Sequence, residues 1–289
     1  ATLVHPFACH VQGWPTLPAC FNRVKVIFVF QELSLGTSGT RPVSLTPSPR
    51  GTYLITGGLS GLGLVVARRL AERGAGRLVL IGRRGVPSAA QGELDALRRL
   101  TQVESAALDV SDEAGLRALL DRIRQDGPPL RGIIHSAGVV HDAGFLSQDA
   151  ETVAAVFAPK VAGATLLDRL TRGDALDFFV LFSSVAGVLG SSGQANHAGA
   201  NAFLDLLAAR RRAEGLPGLS VAWGPWSEVG AAADRGMAER LAALGLGAVT
   251  PEQGLQALDR ALSDDLVQVV VQPADWRRVL SREPRRATL

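Results

Sequence analysis

A chain of 289 residues, 47% of them hydrophobic, with a formal net charge of +3, is long enough for one substantial core. It lacks the basic stripe interleaved with aromatics that would point to nucleic acid. Its two cysteines, Cys9 and Cys20, argue against a disulfide framework and match no zinc spacing, so no metal is expected and a reducing, cytoplasmic setting is.

The first 50 residues have no clean period. "RVKVIFVF" reads as one strand; it is too short to cross a membrane and lacks the leader and cleavage site of a signal peptide. Residues 37–50 are a linker rich in Pro, Ser and Thr. From Thr52 the pattern changes. Strand 52–57, a glycine-rich turn 57–63, helix 62–74 and strand 77–83 make one βαβ unit. A helix near 89–100, strand 103–110, helix 112–125 and strand 132–138 follow. Then come a long helix around 149–171, strand 177–184, helix 196–214, strand 219–224, helices across 234–262 and strand 267–272. Near-continuous apolar strands alternating with helices predict an α/β protein, a Rossmann-like doubly wound parallel sheet of about seven strands. The expected organisation is an N-terminal extension over 1–50 and a dinucleotide-binding catalytic domain over 51–289.

"TGGLSGLG" follows a strand and opens a helix, the context in which a glycine-rich turn cradles a pyrophosphate. Candidate cofactor contacts there are Thr56, Gly57, Gly58, Gly61, Leu62 and Gly63. The carboxyl ends of the next strands add Arg83 and Arg84, Asp109 and Val110, and Ser136, Ala137 and Gly138. An NAD site commonly places an acid where this chain has Arg83 and Arg84, and two guanidiniums suit the 2′-phosphate of NADPH. Asp109 has two roles open to it, adenine contact or helix N-cap in "DVSDE". Only two of the 30 basic side chains are Lys, so Lys160 in "FAPKVAG" stands out. Arg210–Arg212 are expected on a solvated helix face. Tyr53 is the single Tyr and lies before the glycine turn.

"TYLITGGLSGLG", "HSAGVVHD", "FAPKVAG", "VLFSSVAGVLGSSGQANHAGANAFLD" and "SVAWGPWSEVG" occur in this order. Together they resemble the ketoreductase domain of modular polyketide synthases, a branch of the short-chain dehydrogenase/reductase superfamily, over about residues 50–280. The resemblance implies NADPH-dependent reduction of a β-ketoacyl thioester held by phosphopantetheine on an acyl carrier protein. It also implies other synthase domains as neighbours, with neither membrane nor nucleic acid as partner. Residues 1–50 read either as a remnant of the structural subdomain that precedes the catalytic part or as a linker. The family's active-site Lys, Ser and Asn fall on Lys160, Ser184 and Asn201, and its Tyr falls on His197. Hydride attack builds negative charge on the ketone oxygen, so the site needs a hydrogen-bond donor and an acid. Three outcomes stand open for His197: donor directly or through water, slow reduction using Ser184 and solvent, or a silent cofactor-binding scaffold. Retained reductase activity is favoured, because every other element is intact. A free-standing short-chain dehydrogenase is a further alternative.

Val140-His141-Asp142 aligns with the Leu-Asp-Asp signature of B-type ketoreductases, keeping only Asp142. The A-type Trp is replaced by Leu189. The resemblance therefore implies a B-type domain and a (3R)-hydroxy product. Residues 225–247 are placed to close over substrate, with Trp226 and Met237 either lining the acyl pocket or packing in the core.

Overall fold

The structure, a computed structural model, describes residues 24–27, 46–228, 241–275 and 278–279. Met237 and most of the expected lid lie outside the described residues, as do Cys9 and Cys20. Eight strands form one parallel sheet: β1(Val24–Ile27), β2(Thr52–Thr56), β3(Arg77–Gly82), β4(Gln102–Ala107), β5(Leu130–His135), β6(Phe178–Ser184), β7(Leu219–Trp223) and β8(Gln268–Val271). Their spatial order is β1-β8-β7-β6-β5-β2-β3-β4. The seven strands expected from Thr52 onward are all present, and the strand read in "RVKVIFVF" adds an eighth beside β8, with Val24 opposite Gln268.

The helices are α1(Gly61–Glu72), α2(Gln91–Arg98), α3(Glu113–Gln125), α4(Ala150–Phe157), α5(Ala164–Leu170), α6(Ala186–Leu189), α7(Ala195–Ala213) and α8(Pro251–Ser263). Alternation along the strands divides the core. Ile55, Leu80, Val180 and Val221 face α1, α2 and α8, while Leu54, Val79, Phe179 and Leu181 face α3, α5 and α7. Burial on both faces explains why the strands read as unbroken apolar runs. The strand order reverses between β2 and β5, so the ligand crevice of such a sheet opens beyond their carboxyl ends.

Two differences from the sequence expectation matter. The long helix predicted over 149–171 is interrupted by a π-helical turn, Ala158–Gly163, between α4 and α5. Pro159 lies in this turn and has no N–H to give to the ordinary ladder. The composite stretch Ala150–Leu170 is long and apolar enough by composition to cross a membrane. It is a core helix here, with Val156, Lys160, Leu167 and Asp168 buried against the protein.

The second difference is Arg211. It was expected on a solvated face, yet it is 1% exposed. Its Nη1 donates to Asp168 Oδ1 at 2.6 Å, its Nε donates to Pro217 O, and its guanidinium lies 3.8 Å from the centroid of the Phe179 ring. Ion pairing to a buried acid outweighs the tendency of a basic run to face water. Arg210 pairs with the same Asp168, and Arg212 with Asp265.

Candidate active site

The glycine turn is a packing requirement before it is a binding site. Gly57 and Gly61 hold φ +66° and +53°, the left-handed region that favours glycine. A Cβ on Gly63 would lie 2.4 Å from Gly57 O and 2.5 Å from Ser136 Oγ. Gly58 N donates to Ile81 O at 3.2 Å, tying the turn to the end of β3. Ser136 donates through both N and Oγ to Thr56 O, and Thr56 Oγ1 accepts from Ala137 N, so the ends of β2 and β5 are fastened together. Leu62 is half-buried against the core. The Ser60 side chain makes no cap bond and the first turn of α1 carries no acid, which leaves its leading N–H groups able to receive an anion. Gly63→Ala is expected to cost about 1–3 kcal/mol of stability in urea unfolding and to weaken nicotinamide-cofactor binding in a fluorescence titration.

At the end of β3, Arg83 and Arg84 are exposed and form no ion pair with the described residues. Asp109 does not cap α3. Asp112 does so, accepting from Gly115 N at 3.2 Å, while Asp109 Oδ1 accepts from Ser111 N and Oγ at 2.9 and 2.6 Å. Val110 is buried and packs on Gly163 of the π turn. Gly138 leaves room for the Lys160 side chain: a Cβ there would stand 3.0 Å from Lys160 Cε. These residues fit a dinucleotide, with open donors for the pyrophosphate and two unengaged guanidiniums beyond the second strand.

Lys160, Ser184, His197 and Asn201 gather beside this crevice. The π turn carries Lys160 inward, 7% exposed, and its Nζ donates to Phe182 O at 2.9 Å. Burial lowers its pKa to about 8, opposed by the charge of Asp205. Ser184 ends β6, two residues beyond that carbonyl, and its Oγ accepts from Ala186 N at 3.2 Å, which leaves the hydroxyl proton free. His197 and Asn201 lie one turn apart near the start of α7. Asn201 Nδ2 donates to His197 O at 2.7 Å, while its buried Oδ1 has no partner. Asn201 thus braces its own helix and makes no direct bond to Lys160.

His197 is half-buried, with Nδ1 enclosed and unpartnered. Its pKa falls to about 4, chiefly through burial and then through the charge of Lys160, with Asp142 opposing. At neutral pH His197 is therefore held as the neutral imidazole. Tyr53 cannot substitute. It is 1% exposed at the other end of β2, stacked on Phe178, with Oη accepting from Ser48 N.

The crevice rim is tied to α7. Gln194 Nε2 donates to Asp142 Oδ1 at 2.9 Å, and Asn196 Nδ2 donates to His141 O at 3.0 Å. Leu189 is exposed on α6. Trp226 takes the core-packing role: it is 3% exposed, edge-to-face with Trp223, and lies over Gly254 of α8. Four polar residues around the site escaped the sequence reading: His135, Ser183, Asn196 and Asp205. Thr56 Oγ1 and His135 Nδ1 stand 2.7 Å apart, and burial, with the Lys160 charge, lowers the His135 pKa to about 3. The doubled serine of "FSS" and the acid one turn after Asn201 were the available signals.

Residues 51–228 match the family model described as KR domain. Polyketide synthase GfsB of Streptomyces halstedii is 47% identical over 235 residues, covering 79% of this chain and 4% of that protein. A solved ketoreductase from the first module of phoslactomycin biosynthesis in Streptomyces sp. HK803, PlmKR1, superposes with a TM-score of 0.78 at 42% identity, covering 83% of this chain and 56% of the other. A solved structure of A-type ketoreductases from a modular polyketide synthase gives 0.79 at 42% identity, covering 84% of this chain and 52% of that one. The chain thus spans a small part of GfsB and about half of each solved chain.

Proposed function

This chain belongs to the ketoreductase-domain family of modular polyketide synthases, and on that premise we propose that it reduces a β-ketoacyl thioester to the β-hydroxyacyl thioester using NADPH. The acyl chain is carried by phosphopantetheine on an acyl carrier protein of the same synthase. The observation that carries the proposal is the gathering of Lys160, Ser184, His197 and Asn201 beside the glycine turn at the switch point of the sheet. When bound, the nicotinamide supplies hydride to the ketone carbon. Ser184, its oxygen already accepting from Ala186 N, turns its proton toward the ketone oxygen. The buried Lys160 ammonium, held on Phe182 O, adds positive potential where charge builds. Asn201 and Asn196 hold the first turn of α7, and so His197, in place.

The final proton comes from the small protonated fraction of His197 or from solvent passing it. Turnover is accordingly low at neutral pH. The depressed His197 pKa also favours a second reading, a domain that binds NADPH, reduces nothing and scaffolds its neighbours. NADPH titration combined with NADPH oxidation in the presence of a β-ketoacyl thioester surrogate separates the two. Binding with substrate-dependent oxidation supports the reductase; binding alone supports the scaffold.

NADPH is preferred over NADH because Arg83 and Arg84 pair with no acid among the described residues. Arg83→Ala combined with Arg84→Ala is expected to weaken NADPH binding by about 10–100-fold and leave NADH nearly unchanged in fluorescence titration. Equal losses for both cofactors would contradict the assignment. The B-type, (3R) outcome is proposed on the retained Asp142 of the Leu-Asp-Asp signature and on Leu189 in place of the A-type Trp. Chiral analysis of the product tests it.

A further inference from the structure

We propose that Asp205 is a positioning residue of this site: its carboxylate, held by Ser220, is the fixed counter-charge that keeps Lys160 an ammonium. The inference rests on Lys160 being a site residue, and it adds an anchor that neither the sequence motifs nor the reaction scheme includes.

The geometry starts on β6. Three consecutive residues of that strand serve the site. Phe182 O holds Lys160 Nζ at 2.9 Å, Ser183 faces α7, and Ser184 ends the strand beside the crevice. Ser183 is 5% exposed, and its Oγ donates its one proton to the backbone O of Asn201 at 3.2 Å, one turn before Asp205 on α7. On the neighbouring strand, fully buried Ser220 donates to Asp205 Oδ1 at 2.5 Å. Leu181 and Ser220 are paired across β6 and β7, so Ser183 and Ser220 project from the same side of the sheet, the side covered by α7. Asp205 follows Asn201 by one turn on α7 and therefore shares its face. The acid is thus fastened to β7, while Ser183 on β6 fastens the same helix through Asn201 O, beneath the turn that presents His197.

Electrostatics supplies the reason for holding a half-buried acid there. Lys160 donates to a backbone carbonyl and pairs with no carboxylate at contact distance among the described residues. An ammonium so enclosed loses most of its hydration, and an uncompensated charge in that position sheds its proton. The ionisable groups whose charges couple to Lys160 are His135 at the end of β5, His197 on α7 and Asp205 on α7. The two imidazoles are held neutral, which leaves Asp205 as the opposing charge among the described residues. The groups acting on Asp205 are Ser220 from β7, Ser183 from β6 and Lys160 from the π turn. Burial raises the Asp205 pKa, and the two hydroxyls and the ammonium work against that rise.

The scarcity of lysine makes the test direct. With lysine Cε carbon-13 labelled in the full chain, only Lys25 and Lys160 give side-chain signals, and Lys160→Met assigns them. The Lys160 signal is expected to titrate at a midpoint lowered by roughly one pH unit in Asp205→Asn, with a smaller lowering in Ser220→Ala. An unchanged midpoint in Asp205→Asn overturns the proposal. Should that variant fail to fold, the reciprocal measurement decides. In Lys160→Met the carboxyl carbon of Asp205 is expected to titrate roughly one unit higher than in the unmodified chain, because coupling between two sites is mutual. A midpoint that does not move overturns the proposal equally. Neither readout uses turnover. A chain inactive toward β-ketoacyl thioesters would refute the reductase function and leave the midpoints free to decide this one.

Discussion

His197→Tyr raises the turnover of a β-ketoacyl thioester surrogate at neutral pH by roughly 10²-fold or more, within the 10²–10⁴-fold range of a well-matched general acid. The direction follows from the surroundings of His197. Burial and the nearby Lys160 ammonium both disfavour a positive imidazolium and lower its pKa to about 4. The same ammonium has the opposite consequence for a phenol, because it favours the ionised form and so makes the hydroxyl a better proton donor. One substitution thus converts a residue working against the local field into one working with it. Steady-state NADPH oxidation for both chains checks this, with cofactor affinity measured in parallel. Equal turnover, with cofactor bound in both, would mean that proton supply at this position does not limit the reaction.

Asp168→Ala removes about 3–5 kcal/mol of stability, a large share of what a domain of this kind possesses. Asp168 is 2% exposed on α5 and accepts from Arg211, Arg210 and Arg172. Burial would raise its carboxyl, but hydrogen bonds from Arg172 and Arg211 outweigh burial and hold it below the usual carboxylate range. Removing the acid leaves Arg211, 1% exposed, as an unpaired cation in the core. Replacing both partners with apolar residues, Asp168→Leu with Arg211→Met, is expected to cost much less than the single change. Urea unfolding of the two single variants and the double variant measures this. Because the Asp168 pKa is depressed on folding, its contribution is complete above the unfolded carboxyl value of about 3.9 and disappears as pH falls below it. His135 and His197, both depressed, add a loss that begins higher, as pH falls through about 6.5.

The sheet was legible because strands buried on both faces leave unbroken apolar runs, and Leu54 beside Ile55 shows how adjacent residues feed opposite cores. The glycine turn was legible because Gly57, Gly61 and Gly63 answer backbone constraints that few other residues meet. The π turn was not, since its six residues are too few for the wider i→i+5 winding to show against the 3.6-residue pattern of the flanking helices, and only Pro159 hints at it. Arg211 looked like its exposed neighbours because its partner, Asp168, is distant in sequence and belongs to another helix. Trp226 had two roles open to it in the sequence, pocket or core, and packing over Gly254 of α8 gives it the second. Asp205 was hidden for the same reason as Asp168: its partner, Ser220, meets it only once α7 has packed on β7.

The most direct test of the central claim is NADPH oxidation by the unmodified chain with a β-ketoacyl thioester surrogate, followed from neutral pH down to mildly acidic pH while the fold is monitored. The account predicts substrate-dependent oxidation that rises as pH falls, because acidification supplies the imidazolium that His197 lacks at neutrality. A folded chain that binds NADPH and oxidises none of it at any pH would contradict the account.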